Sequence, residues 1–261
     1  MSLMNYKFEN CSMDDVKELI LEYASSLSSP FDSFLEDHIA ASEFYRIFIG
    51  LSLVGYLAIF KKELLTQFYI KREDLKYGQE IFRSALQEFR IKEAFVTTGD
   101  ELLLSLAMDD YESVEKQAYF FQDCKEYSYN KGYYPGEFRL ASSNEIEEIE
   151  KVSGDFFDKL YEQVENGQIF IFKENDVLLG VGIREPGVVL DKYTSIGMFV
   201  NEGYRQKGIG RTIISKLREW CYENTTIPIC GCWYYNTNSK LTLESTGFVT
   251  KTRLLRFKMK I

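Results

Sequence analysis

The residues best equipped for chemistry lie in "YRQKGIGR", where Arg205, Lys207 and Arg211 crowd two glycines, Gly208 and Gly210. Upstream, Ile196, Met198 and Val200 alternate as in a strand; downstream, Ile213, Ile214, Leu217, Trp220 and Cys221 recur at helical spacing. The run reads as strand, glycine turn and amphipathic helix. A helix start leaves backbone N–H groups without intrahelical partners, and the helix dipole adds positive potential there. With two side chains removed and three cations close by, the expected chemistry is capture of an anion, most naturally a phosphate.

Two phosphate loops do not fit. A Walker loop matches the interval from Gly203 to Gly208, but Ile209 and Gly210 stand where Lys and a hydroxyl are required. A dinucleotide fingerprint beginning Gly208-x-Gly210 needs a third glycine where Ile213 stands, and that side chain would hold the helix off the strand.

The pattern that does fit is Arg/Gln-x-x-Gly-x-Gly/Ala, present as Arg205-Gln206-Lys207-Gly208-Ile209-Gly210. Downstream, Asn236, Ser239, Gly247 and Phe248 keep a second characteristic set of intervals. Together they resemble the GNAT superfamily of N-acyltransferases, over about residues 136 to 258. The resemblance implies an α/β fold, an α+β mixed sheet with helices on both faces, and acetyl-CoA as acyl donor. It implies that Met198, Phe199 and Val200 bond the pantetheine arm through their backbone. Residues Arg205, Gln206, Lys207, Gly208, Ile209, Gly210 and Arg211 would hold the pyrophosphate, and Asn236 and Ser239 would line the outer arm. An amine then attacks the thioester directly in a ternary complex.

Both usual catalytic positions depart from the family. Leu243 stands where many members have a proton-donating Tyr, and Thr194 stands where some have a Glu base. Tyr234 and Tyr235, ending a strand, are candidate proton donors; Thr194 can hold a water but cannot be a base near neutral pH. Tyr235 and Thr194 are carried forward as the catalytic candidates. Asp191 and Glu185, before the fourth strand, could deprotonate an amine through water.

These residues need a scaffold, and the elements expected in the second half are strands 137–141, 168–173, 177–184, 188–200, 226–233 and 248–258. Helices are expected between 144 and 165, over 208–223 and over 237–245. Ser143 or Asn144 would cap the first, and "KEND" would be a hairpin turn. The first half echoes this order. Ile70 and Gly78 match Val200 and Gly208 at an offset of 130 residues, which predicts an internal duplication. In that copy Leu75 replaces Arg205 and Glu80 replaces Gly210, placing a carboxylate where a phosphate should sit. The expected organisation is two GNAT-like domains in tandem: a degenerate copy over 1–125 that does not bind CoA, a tyrosine-rich linker over 126–136, and the acetyltransferase domain over 137–261.

Composition narrows the partners. The 261 residues carry a net charge of −9, which disfavours nucleic acid or an anionic membrane as the main partner and favours a cationic small-molecule amine. The apolar run ending at Phe60 has 14 residues and is too short for a membrane span. No basic, apolar leader opens the chain, and five scattered cysteines suit a reducing compartment, so a cytoplasmic location is expected. The lone His38 cannot build a histidine triad or a histidine-rich metal site and reads as a solvated helix residue; Cys230-x-Cys232 is poor zinc spacing, so no metal is expected. Two halves able to pair their sheets suggest a monomer mimicking a GNAT dimer, or a true homodimer. The alternative to an acetyltransferase is a non-catalytic acyl-CoA-binding or sensing protein.

Overall fold

The computed structural model describes residues 6–124 and 132–260, so residues 126–131 of the expected linker lie outside the described residues. The first half runs β1 (Tyr6–Cys11), α1 (Lys17–Ser26), α2 (Ser33–Ala40), β2 (Glu43–Ile49), β3 (Ser52–Phe60), β4 (Leu64–Ile70), α3 (Gly78–Phe89), β5 (Glu93–Thr97), α4 (Glu101–Asp109) and β6 (Tyr111–Asp123). The second half repeats the order as β7 (Glu137–Leu140), α5 (Ile146–Ser153), α6 (Leu160–Glu165), β8 (Ile169–Glu174), β9 (Val177–Pro186), β10 (Tyr193–Val200), α7 (Ile209–Glu223), β11 (Ile227–Trp233), α8 (Thr237–Glu244) and β12 (Phe248–Met259). The duplication read from the glycine offset is therefore present element by element.

All twelve strands form one sheet, in the order β1-β2-β3-β4-β5-β12-β6-β11-β10-β9-β8-β7. The halves exchange their last strands. β6 lies against β11 of the second half, and β12 lies against β5 of the first, with β6 and β12 paired antiparallel along their length. The cores follow this exchange: Phe257 is fully buried among Leu65, Ile81 and Val96 of the first half, whereas Phe121 on β6 is buried with Ile213, Cys230 and Leu243 of the second.

Two local expectations are corrected. The strand predicted over 188–200 begins only at Tyr193, because Gly187 closes a loop whose backbone bonds to itself: Gly187 N donates to Tyr193 O at 3.0 Å and Tyr193 N to Leu190 O at 2.8 Å. A side chain at Gly187 would strike Leu190 O. The helical segment after β7 is capped by Ser142 with Glu145 as a reciprocal capping box, not by Ser143 or Asn144. The "KEND" turn forms as expected, with Asn175 at φ 49° and Asp176 at φ 63°, as a two-residue hairpin loop with both φ positive requires.

Candidate active site

The two strands that flank the glycine turn are the parallel pair β10 and β11, which needs a helical crossover and has one in α7. They pair only over Tyr193↔Ile227, Thr194↔Pro228 and Ser195↔Ile229, then part. Beyond this fork β10 keeps β9 as its neighbour through Val200↔Gly180, so its other edge, from Ile196 to Val200, has no strand beside it. That free edge is where Met198, Phe199 and Val200 stand. Met198 and Val200 face α7, and Phe199 faces α5 and α6 on the other side of the sheet. The Val200 carbonyl already accepts from Arg205 Nε at 3.2 Å.

At the end of β10 a short 3-10 turn over Glu202–Tyr204 leads into the glycine loop. Gln206 has φ 63° and Gly208 φ 88°, so the chain twice enters the left-handed region before α7 begins. The result is a run of backbone amides turned away from any partner. Thr212 N donates to Gly208 O at 3.0 Å, but the amides of residues 206 to 211 find no acceptor among the described residues. Gly208 also lies against Arg211: a Cβ there would sit 3.1 Å from Arg211 Nη2. Gly210 serves close packing: a Cβ would meet Val200 and Thr242 at 3.3 and 3.4 Å, so its absence lets α7 settle between β10 and α8. Arg205 pairs with Glu202 at 3.1 Å, and Lys207 lies over the Tyr204 ring at 4.8 Å. Oriented amides at a helix start with three cations around them are the arrangement that suits an anion.

Asn236 and Ser239 are brought to the mouth of the fork as a helix cap, with Ser239 N donating to Asn236 Oδ1 at 3.0 Å. Tyr235 stands beyond the end of β11, 59 % exposed, with its ring against Trp233 and Tyr234. Thr194 is buried one residue before the fork. Leu243 is buried in the α7-side core.

The sequence reading missed residues that arrive from far along the chain. Tyr119 on β6 stacks on Tyr234 at 4.7 Å, with Arg253 of β12 over Tyr119 and Lys116 over Tyr234. The hydrogen bond from Tyr119 and the nearby Lys116 charge lower the Tyr234 phenol. On the opposite face of the fork lies the start of α2. Ser33 N donates to Ser195 Oγ at 3.2 Å, Ser33 Oγ donates to Glu185 at 2.6 Å, and Val189 N and Leu190 N donate to Glu36 Oε1 at 2.6 and 2.8 Å. Glu185 is thereby turned toward the first half, and burial raises its carboxyl. Asp32 presses on β11: a Cβ at Gly231 would sit 1.7 Å from Asp32 Oδ2.

Burial, followed by the charges of Glu185 and Glu36, raises Asp32 to about 7, against the opposing hydrogen bond from Leu35 N. The folded state then holds a proton that the unfolded chain has lost between about pH 4 and pH 7, so stability falls as pH rises through that window. At about 1.4 kcal/mol per unit the total is at most about 4 kcal/mol. Denaturant titrations across this range are expected to show a shallower pH slope for Asp32→Asn than for the unaltered protein; an unchanged slope would show that Asp32 ionises as freely folded as unfolded.

The equivalent region of the first half is closed. The 3-10 turn Arg72–Tyr77 uses its own amides, with Asp74 N donating to Lys71 O at 2.9 Å and Gly78 N to Leu75 O. Gly78 is helical at φ −53°. Glu80 does not point into a vacant cradle as expected; it accepts from Tyr6 Oη at 2.6 Å. His38 is a half-buried helix residue whose ring also packs against Phe34, Phe60 and Phe95 within 4.6 to 5.3 Å.

Residues 12–124 match the family described as "Acetyltransferase (GNAT) domain", and residues 108–248, more than half the chain, match "Acetyltransferase (GNAT) family". The chain belongs to the GNAT acetyltransferases. Among solved structures, this GNAT protein is similar in fold to an acetyltransferase of the family from Colwellia psychrerythraea, with a TM-score of 0.87 at 19 % identity, covering 97 % of this chain and 100 % of that one. It is also similar to a tandem GNAT protein from the clavulanic acid biosynthesis pathway, at 0.64 and 11 % identity, over 97 % and 98 % of the two chains. A GCN5-related N-acetyltransferase from Sphaerobacter thermophilus gives 0.66 and 10 % identity over 97 % and 95 %. Comparison with curated proteins gives no match. The tandem arrangement is thus a property of the GNAT fold as found in other chains, and acyl transfer is the activity of the family. Among the described residues no helix is long and apolar enough to cross a membrane, and no cluster of metal-ligating side chains occurs.

Proposed function

We propose that this GNAT protein transfers the acetyl group of acetyl-CoA to the primary amine of a small molecule, by direct attack in a ternary complex at the fork of β10 and β11. The observation that carries this reading is the run of amides from 206 to 211 at the start of α7 without acceptors among the described residues, beside a β10 edge that has no described strand neighbour beyond Ser195. The amides of Gln206, Lys207, Gly208, Ile209, Gly210 and Arg211 suit a pyrophosphate, with Arg205, Lys207 and Arg211 supplying charge. The backbone of Met198 and Phe199 offers an extended amide arm the pairing that a further strand would take. Asn236 and Ser239, at the α8 cap, border the outer part of that arm, with Tyr235 at the mouth. Thr194, buried beneath the fork, would hold a water. A carboxylate-rich acceptor face, with Asp32, Glu36 and Glu185, suits a cationic amine. One chain provides both halves of the sheet, which supports action as a monomer that stands in for a pair.

The test is thiol release from acetyl-CoA with a panel of polyamines, amino sugars, amino-acid-derived amines and short peptides, with the amide product identified by mass. Amine-dependent release of free CoA is expected. Strong stabilisation of the protein by acetyl-CoA with no release on any amine would instead favour the sensing reading, which the buried Leu243 at the usual proton-donor position supports.

A further inference from the structure

The α2 start lies well over a hundred residues from the fork in sequence, yet it is fastened there at several points. Phe31 is buried, Gln122 Nε2 on β6 donates to Ser29 Oγ, Ser33 bonds both Ser195 and Glu185, and Glu36 takes the amides of Val189 and Leu190. These contacts hold Asp32 over the fork. Ser195 is the last β10 residue paired with β11, and Gly231 is two residues beyond Ile229, its partner across the pair. Asp32 is 8 % exposed; Oδ1 accepts from Leu35 N at 3.3 Å, while Oδ2 is not used by that bond and points at Gly231. A helix cap needs only one carboxylate oxygen. The second lies against Gly231, beside the place where the two strands separate.

The face matters as much as the distance. Cys230 faces α7 with Met198 and Val200, so Gly231 and Asp32 are on the other side of the sheet. An acyl donor seated on the α7 cradle and threaded through the fork would present its carbonyl carbon between the two faces. An attacking amine would arrive on the Asp32 side.

We propose that Asp32, supplied by the half without an anion cradle, is the catalytic proton acceptor for the amine used by the other half. The inference rests on the acetyl-transfer reading above. An ammonium entering the acceptor face pairs with Asp32 and gives one proton to Oδ2. The nitrogen lone pair then forms the C–N bond to the thioester carbonyl carbon while the C–S bond breaks and its electron pair leaves on sulfur. The second nitrogen proton neutralises the thiolate, and Asp32 releases its proton to solvent. The titratable groups around Asp32 are Glu36 on its own helix, Glu185 on β9, and the Cys230 and Cys232 thiols of β11; burial pushes both thiols up, leaving them neutral. Lys159 and Asp37 face Glu185. A carboxyl raised to about 7 by burial is matched to taking and returning a proton near neutral pH. Gly231 is then required because any side chain would displace the carboxylate.

The experiment uses two CoA conjugates on the full chain. One carries an S-carboxamidomethyl arm ending in an aminoethyl ammonium, and the other ends in a methyl group of the same length. Calorimetry measures both with acetyl-CoA, at about one pH unit below and above 7. The unaltered protein is expected to prefer the ammonium conjugate by about tenfold or more at the higher pH and less at the lower. Asp32→Asn keeps a capping side chain and should keep acetyl-CoA affinity while losing the preference and its pH dependence. Gly231→Ala, which retains the carboxylate but displaces it, should lose the preference too. A preference that survives in both variants, or one without pH dependence, overturns the role of Asp32. Absence of acetyl-CoA binding to the unaltered protein overturns the donor reading itself, and this inference with it.

Discussion

Phe257→Ala is expected to destabilise the protein by about 3 to 5 kcal/mol, the range for removing a fully buried phenylalanine ring. Phe257 lies on β12, the last strand of the second half, but its ring is 0 % exposed inside the first-half core and meets Tyr111 edge-on at 5.8 Å. Phe121→Ala should do the converse: a residue of the first half, it removes packing beneath α7. Because β6 and β12 pair with each other and each completes the other half's sheet, neither core survives unfolding of its partner. Both variants should therefore melt in one calorimetric transition, shifted down by roughly 10 °C. Two transitions, with Phe257→Ala lowering only one of them, would show that strand exchange leaves the halves independent.

Gly210→Glu is expected to reduce acetyl-CoA affinity by at least about a hundredfold, near 2.7 kcal/mol. The added Cβ meets Val200 Cγ2 at 3.3 Å and Thr242 Cγ2 at 3.4 Å, so the neighbours must yield slightly. The carboxylate would be added one residue from the start of α7, next to the amides of residues 206 to 211. It would satisfy donors proposed for the pyrophosphate and repel that group as well. The first half carries this change naturally at Glu80, whose carboxylate is held by Tyr6. Gly210→Ala separates the two effects: it adds the methyl without the charge, and should cost far less affinity. Equal losses in both variants would assign the effect to packing.

The element order of the second half was legible because each element keeps its own period, and the duplication because a turn glycine and the helix after it recur together. Strand neighbours were not. β12 carries an alternating pattern, which says that it is half-buried but not beside which strand, and the polar first half of β6 gives no pairing signal at all. The apolar "VVL" at 188–190 imitated a strand; its burial arises instead from Val189 packing beside α2, with its amide on Glu36. The glycine turn into α7 was readable, since glycines at a helix start have a local cause. The contact between Asp32 and Gly231 was not, because Asp32 looks in sequence like an ordinary cap of α2, and that contact depends on how the halves dock. Tyr119 and Arg253 were missed for the same reason: exchanged strands bring them to Tyr234.

The central claim is that one half holds the acyl donor and the other does not, and the most direct measurement is a calorimetric titration of the unaltered full chain with acetyl-CoA. The account predicts one site per chain with low-micromolar affinity, about −8 kcal/mol. A stoichiometry of two would show that the closed turn at Gly78 opens to bind, and no binding at all would show that the amides of residues 206 to 211 serve some other anion.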